Sequence, residues 1–208
     1  MEPNTTTTSV EKKKVAVIIG SGRTHRHGET ITNWFVETTK LAELYNVEII
    51  DLVKWNLPFY DEVLAPMALG GNYTTEHGKK WQSTIASMDA VVVVTPEYNH
   101  GYTAIFKNAI DYLYREWQGK PLLVVSYGFG GGVSVSQQVV DIMTGTSPIQ
   151  MRAVPTRPQL CFSRAMFNEQ GKIANFDAFE AQRENITKSI QEFTDLINTP
   201  FTWQPPKW

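Results

Sequence analysis

The sequence predicts an α/β domain in which a doubly wound, five-stranded parallel sheet carries helices on both faces. Three observations lead there. Short apolar, β-branched runs recur along the chain, amphipathic stretches at helical spacing separate them, and polar, glycine-bearing turns sit where each run ends. Parallel strands need crossover connections, and right-handed crossovers place helices on both sides of the sheet.

The elements follow in order. KVAVIIG, Lys14–Gly20, reads as a strand buried on both faces. Ile31, Trp34, Phe35, Leu41 and Leu44 recur at near-helical spacing and predict one helix over Glu29–Tyr45. VEIIDL, Val47–Leu52, completes a βαβ unit. Pro58, Pro66 and Gly70-Gly71 make Val53–Thr75 a long irregular connection with one short helical turn. A helix over Thr75–Met88, the strand AVVVVT ending at Thr95, a helix over Thr103–Tyr114 and the strand LLVVSYG, Leu122–Gly128, come next. A glycine turn, Gly128–Gly132, opens a helix to Met143, and IQMRAVPTRPQLCF holds a last strand interrupted by Pro155 and Pro158. Asp177–Asn198 closes the domain as a helix. The domain therefore spans residues 14–198, between a solvated tail over 1–13 and an extended tail over 199–208, whose tryptophans dock on the same chain or on a second subunit.

Composition narrows the function. In 208 residues, 42% are hydrophobic and the formal net charge is -2, so there is core for one domain and no basic field for nucleic acid or an anionic membrane. No stretch approaches the length of a membrane span or a signal peptide. The single cysteine, Cys161, excludes an internal disulfide framework and fits a reducing compartment, so a cytoplasmic protein is expected.

In open α/β sheets, ligands lie beyond the carboxyl ends of the strands, which draws attention to three turns. The first, GSGRTHRHGET, Gly20–Thr30, links a strand to a helix N-terminus. Backbone N–H groups, the Ser21 hydroxyl and the Arg23 and Arg26 guanidinium groups suit a phosphate there. Neither a GxGxxG fingerprint nor a Gly-Lys-Ser/Thr triplet is present, which favours a monophosphate over a dinucleotide or nucleoside triphosphate. His25 and His27 lack acidic or cysteine partners at metal-ligand spacing and read as solvated, so no metal is expected.

The second turn is PEYNHG, Pro96–Gly101. Tyr98 offers a flat aromatic face, Asn99 both donor and acceptor groups, and Pro96 a stiff approach. Glu97 serves either as a base or as a local hydrogen-bond acceptor, while Lys107 and Asn108 brace the turn from the following helix. The third turn, SYGFGGG, Ser126–Gly132, lets backbone approach a ligand closely in front of a helix N-terminus. Together the three describe a phosphate, a ring face and a ring edge. No Ser-His-Asp set or carboxylate pair appears, so no catalytic side chain is assigned.

These motifs, strand-GSxRxxR, PEYNHGY with KNAIDYL, and SYGxGG, resemble in order those of the NADPH-dependent FMN reductase family, the flavodoxin-like quinone, azo and flavin reductases. The resemblance implies a flavodoxin-like fold. It also implies that Ser21, Arg23 and Arg26 hold the FMN phosphate with Gly28 and Glu29 beside it, that Pro96, Glu97, Tyr98 and Asn99 line the isoalloxazine, and that Ser126, Tyr127, Gly128 and Gly130 approach its pyrimidine side. It further implies hydride transfer from NADPH or NADH through FMN, by a ping-pong route, to a quinone, azo compound or free flavin, in a homodimer or dimer of dimers. A flavin-binding electron carrier, a redox-sensing partner and a biosynthetic reductase specialised for one metabolite are the alternatives.

The chain departs from the family pattern in places. Thr103 replaces a usual proline, which predicts a less rigid loop. His27 and Gly28 stand where small hydroxyl residues are common, leaving one phosphate contact open. Thr144–Ile149 is longer than usual, and the tails have no counterpart.

Overall fold

The computed structural model describes residues 11–145 and 148–203. The expected N-terminal tail up to residue 10, part of the long stretch after Thr144 and the last five residues lie outside the described residues.

β1 (Lys14–Ile19) lies at the heart of the chain, followed by α1 (Gly28–Thr38) and α2 (Leu41–Leu44). The single helix expected over 29–45 is thus two. The Thr39 hydroxyl donates back to the Phe35 carbonyl, and Lys40 takes a left-handed φ of 52°, which ends the first helix. β2 (Asn46–Asp51), α3 (Leu52–Trp55), α4 (Pro66–Leu69) and α5 (Glu76–Ala86) follow, so the long connection holds two short helices where one turn was expected. Then come β3 (Ala90–Pro96), α6 (Ala104–Asp111), β4 (Pro121–Gly128) and α7 (Val133–Met143). β5 (Arg152–Ala153) and β6 (Gln159–Cys161) precede α8 (Arg183–Asn198), whose expected first turns are instead a 3-10 segment, Asp177–Gln182.

The sheet order is β2-β1-β3-β4-β5, with β6 also paired to β4 and every pairing parallel. β5 and β6 are two pieces of one fifth strand. Pro155 and Pro158 lie between them, and proline cannot donate to a ladder, so pairing stops and resumes. The strand order reverses between β1 and β3, which opens a crevice at their carboxyl ends.

Alternation of side chains along the strands divides the core in two. Ala16, Ile18, Val91, Val93, Leu122 and Val124 face α5, α6 and α7 through Trp81, Ile85, Phe106 and Val139. Val15, Val17, Val92, Val94, Leu123 and Val125 face α1 and α8 through Ile31, Phe35, Ile186 and Phe193. At the far pole, Arg152 donates to the carbonyls of Gly119 and Thr199, and Phe201 lies so close to Gly119 that a Cβ there would stand 2.2 Å from the ring. The first residues of the C-terminal segment therefore dock on their own chain.

The connection between β2 and α5 is anchored by a buried carboxylate. Glu62 accepts from the N–H and hydroxyl groups of both Thr74 and Thr75. Burial works to raise its pKa, yet these donors win and hold it at about 2. Asn108 donates to the Pro58 carbonyl at 2.7 Å, and the Tyr112 hydroxyl donates to the same oxygen at 3.0 Å. Asn108 thus braces this connection and not the Tyr98 turn, while Lys107 pairs with Asp111 on its own helix.

Candidate functional site

The crevice beyond β1, β3 and β4 is a cavity of about 420 Å³. Arg23, Arg26, Pro96, Glu97, Tyr98, Tyr127 and Gly128 line it, as the three turns led us to expect, and His25, His27, Phe129, Phe162 and Phe167 complete it. Asn99, Ser126 and Gly130 do not line it, and Ser21 and Gly28 form part of its surroundings at the start of α1.

The first turn lies where β1 passes to α1. Ser21 is fully buried and, among the described residues, its hydroxyl has no well-formed hydrogen bond, a costly arrangement unless a ligand supplies one. Gly28 opens α1, and a Cβ there would lie 2.1 Å from the Ser21 Oγ and 3.0 Å from the Tyr127 hydroxyl oxygen, so only glycine fits. Burial pushes the Tyr127 hydroxyl well above the ordinary tyrosine range, opposed in part by the neighbouring Ser21 hydroxyl, and among the described residues neither makes a well-formed hydrogen bond. His27 precedes the helix without a side-chain cap, which leaves first-turn N–H groups for an anion.

The two arginines separate. Arg26 forms a bidentate pair with Asp51 at 2.8 and 2.6 Å and donates to the Ser21 carbonyl at 3.0 Å. Burial acts to raise the Asp51 carboxyl, but hydrogen bonds from Arg26 and the Val53 N–H hold it below the usual carboxylate range. Arg26 therefore lines the cavity with its fork already engaged by Asp51 and the Ser21 carbonyl. The Arg23 guanidinium lies 3.9 Å from the centroid of the Tyr98 ring, and no ion pair engages it among the described residues.

Tyr98 begins a tight hairpin. Its N–H donates to the Gly101 carbonyl and the Gly101 N–H returns the bond, with Asn99 and His100 both left-handed at φ 51° and 60°. Asn99 serves this turn and stays exposed. Glu97 accepts from the Val135 N–H at 3.1 Å in the first turn of α7, in the position of a helix cap, so its role is local. Thr103, expected to loosen the loop, is buried; its hydroxyl donates to the Gly20 carbonyl and accepts from the Phe106 N–H. In the third turn, Ser126 donates to the Gly131 carbonyl at 2.7 Å and so closes the turn from beneath.

An aromatic wall faces Tyr98. His27 packs on Phe167 at 5.1 Å and Phe162 at 5.9 Å, and Phe129, 70% exposed, packs edge-on to Phe162. His27 is therefore half-buried, not solvated, and burial lowers its pKa. Phe162 and Phe167 escaped sequence reasoning because they follow the proline-broken fifth strand, where no periodicity points at a site. Phe129 stands between two glycines of SYGFGGG, where turn composition drew attention to the backbone and not to this side chain.

A buried hydroxyl without a partner, a glycine cradle and an uncapped helix N-terminus fit a phosphate, and the aromatic walls fit a planar ring. That combination at the carboxyl edge of a doubly wound parallel sheet defines a flavodoxin-like nucleotide-binding protein. The chain belongs to the NADPH-dependent FMN reductase family, whose model matches residues 13–165. Membership makes it an oxidoreductase of the kind that uses FMN with NAD(P)H. It is 40% identical over 89% of its length, and 91% of the relative's, to an NAD(P)H-dependent FMN reductase of Schizosaccharomyces pombe. A quinone reductase of Pseudomonas putida is 35% identical over 61% of the chain and 69% of its own. The solved structure of FerB, a flavoenzyme NAD(P)H:(acceptor) oxidoreductase of Paracoccus denitrificans, superposes with a TM-score of 0.66 at 24% identity, covering 89% of this chain and 97% of that one, and supports the fold.

Proposed function

We propose that the domain over residues 14–198 is a cytoplasmic NAD(P)H oxidoreductase that holds FMN in the crevice between the three turns. The observation that carries this reading is the unpartnered, fully buried Ser21 hydroxyl beneath the uncapped start of α1, opposite a ring-lined cavity. When bound, FMN would supply the redox chemistry for hydride transfer between NAD(P)H and a quinone, azo compound or free flavin, in a ping-pong scheme.

The chain's own residues do the rest. Ser21 and the first N–H groups of α1 bind the phosphate, with Gly28 keeping the space beside them open. Arg26, fixed by Asp51, orients the turn, and Arg23, stacked on Tyr98, supplies a positive charge for phosphate of FMN or NAD(P)H. Tyr98 and Pro96 support the ring on one side, and the Gly128 turn meets its edge, where backbone N–H groups stabilise negative charge. Glu97 and Ser126 hold the second and third turns in register.

A homodimer, alone or paired into a tetramer, is supported by a patch on the connection between β2 and α5. Phe59 is 83% and Val63 95% exposed, with Leu64 and Met67 beside them, on a segment that Glu62, Asn108 and Tyr112 hold in place.

Initial-rate kinetics with NADPH and a quinone test the activity. Parallel double-reciprocal lines, with sedimentation showing two or four chains per particle, are expected. Flavin binding without acceptor turnover means a carrier or sensor, and turnover confined to one metabolite means a specialised reductase.

A further inference from the structure

We infer that Thr103, which lies outside the cavity, is a positioning residue that sets the phosphate specificity of the flavin site. The inference rests on the FMN reading above.

The Gly20 N–H makes the last ladder contact of β1, to the Val94 carbonyl at 2.9 Å. The Gly20 carbonyl leaves the sheet and is held by the Thr103 hydroxyl, 83 residues away. That hydroxyl is spoken for at both ends, since it also accepts from the Phe106 N–H at 3.2 Å and so caps α6. The Gly20–Ser21 peptide is trans, so its N–H points opposite to its C=O. The carbonyl is directed at α6, which packs on one sheet face, and the Ser21 N–H therefore turns toward the face that carries α1. Among the described residues, the Ser21 N–H has no acceptor. One threonine hydroxyl thus aims an N–H donor into the region of the Ser21 hydroxyl and the α1 N-terminus.

It also ties two turns together. Thr103 follows the Tyr98 hairpin directly, so its bond to Gly20 fixes the spacing between the phosphate turn and the ring-facing turn. The proline usual in the family would fix the same backbone angle, φ -76° here, through its ring; in this chain the cap and the tether hold the loop instead.

The test uses the full chain and its variants Thr103→Val and Thr103→Ser, with FMN and riboflavin affinities measured by flavin fluorescence. Loss of the tether predicts that Thr103→Val weakens FMN about ten-fold, roughly the value of one hydrogen bond to a charged group, while riboflavin changes less than about three-fold. Ser should retain wild-type FMN affinity. Equal weakening of both flavins, or no weakening of FMN, overturns the inference. In the wild type, the Ser21 amide proton resonance should move downfield on titration with inorganic phosphate, which needs no variant to fold, and an unmoved resonance also overturns it. If wild-type protein binds neither flavin, the FMN reading itself fails.

Discussion

Replacing Asp51 by asparagine removes one charge from the pair that shapes the phosphate turn while leaving side-chain volume nearly unchanged. Asp51 is 6% exposed and the Arg26 side chain 12%, so the guanidinium left behind has little access to water. Asp51 also accepts from the Val53 N–H at 3.1 Å at the start of α3, a cap that the asparagine oxygen retains, so the change isolates the ion pair. Breaking one side of a buried pair costs about 3–5 kcal/mol; loss of the carboxylate also leaves Lys54, 3.6 Å from it, facing Arg26 without that compensating charge, so at least about 3 kcal/mol is expected. For a chain of this size, about 3 kcal/mol corresponds to a fall in melting temperature of roughly 6–12 °C. Urea unfolding of protein without added flavin measures it directly. The double variant Arg26→Met with Asp51→Asn should be less destabilised than the two single changes summed, by about 1 kcal/mol or more. An Asp51→Asn midpoint equal to wild type, or strictly additive single changes, would refute the argument that this pair holds the turn.

Other expectations come from the same kind of reading. Glu62 has a folded pKa of about 2 against an ordinary 4.5, so its stabilisation is fully present above the unfolded value and is lost as pH falls through the folded one. The urea midpoint gap between wild type and Glu62→Gln should therefore be widest above pH 5 and narrow toward pH 2; a gap independent of pH contradicts this. Gly28→Ala drives a methyl group against Ser21 and Tyr127 and should destabilise by about 1–3 kcal/mol while abolishing tight FMN binding, as read by unfolding and fluorescence. Arg23→Ala should weaken FMN retention without slowing hydride transfer once the protein is saturated, a split that stopped-flow reduction would expose. Arg152→Ala removes the bonds to Gly119 and Thr199 and should make the segment around Phe201 cleavable by limited proteolysis under conditions where wild type resists.

Much of the fold was legible because buried parallel strands announce themselves: Val91–Val94 are apolar on both faces and can lie nowhere but in the centre of a sheet. The fifth strand was legible only as an interrupted run, since its two pieces are ordered by pairing with β4 and not by local pattern. The break at Lys40 was hidden, as no glycine or proline marks a left-handed lysine. At the site, turn chemistry identified the liners Arg23, Tyr98 and Gly128, but residue type alone cannot tell a guanidinium that meets ligand from one engaged by a carboxylate. Asp51, 25 residues from Arg26 in sequence, decides that question. Thr103 shows the same limit in reverse: a residue that reads as a looser loop becomes a tether once the tertiary fold brings Gly20 beside it. Phe162 and Phe167 reach the cavity for a similar reason, through the crossover and not through any local motif.

The central claim is that the crevice between the three turns holds FMN and exchanges hydride with NAD(P)H. Anaerobic titration of the purified, FMN-loaded chain with NADPH, followed by the visible flavin absorbance, tests it most directly. The account predicts one FMN retained per chain and stoichiometric bleaching by NADPH, with the colour restored on adding a quinone. A chain that retains no FMN, or a bound flavin that NADPH and NADH both leave oxidised, would contradict it.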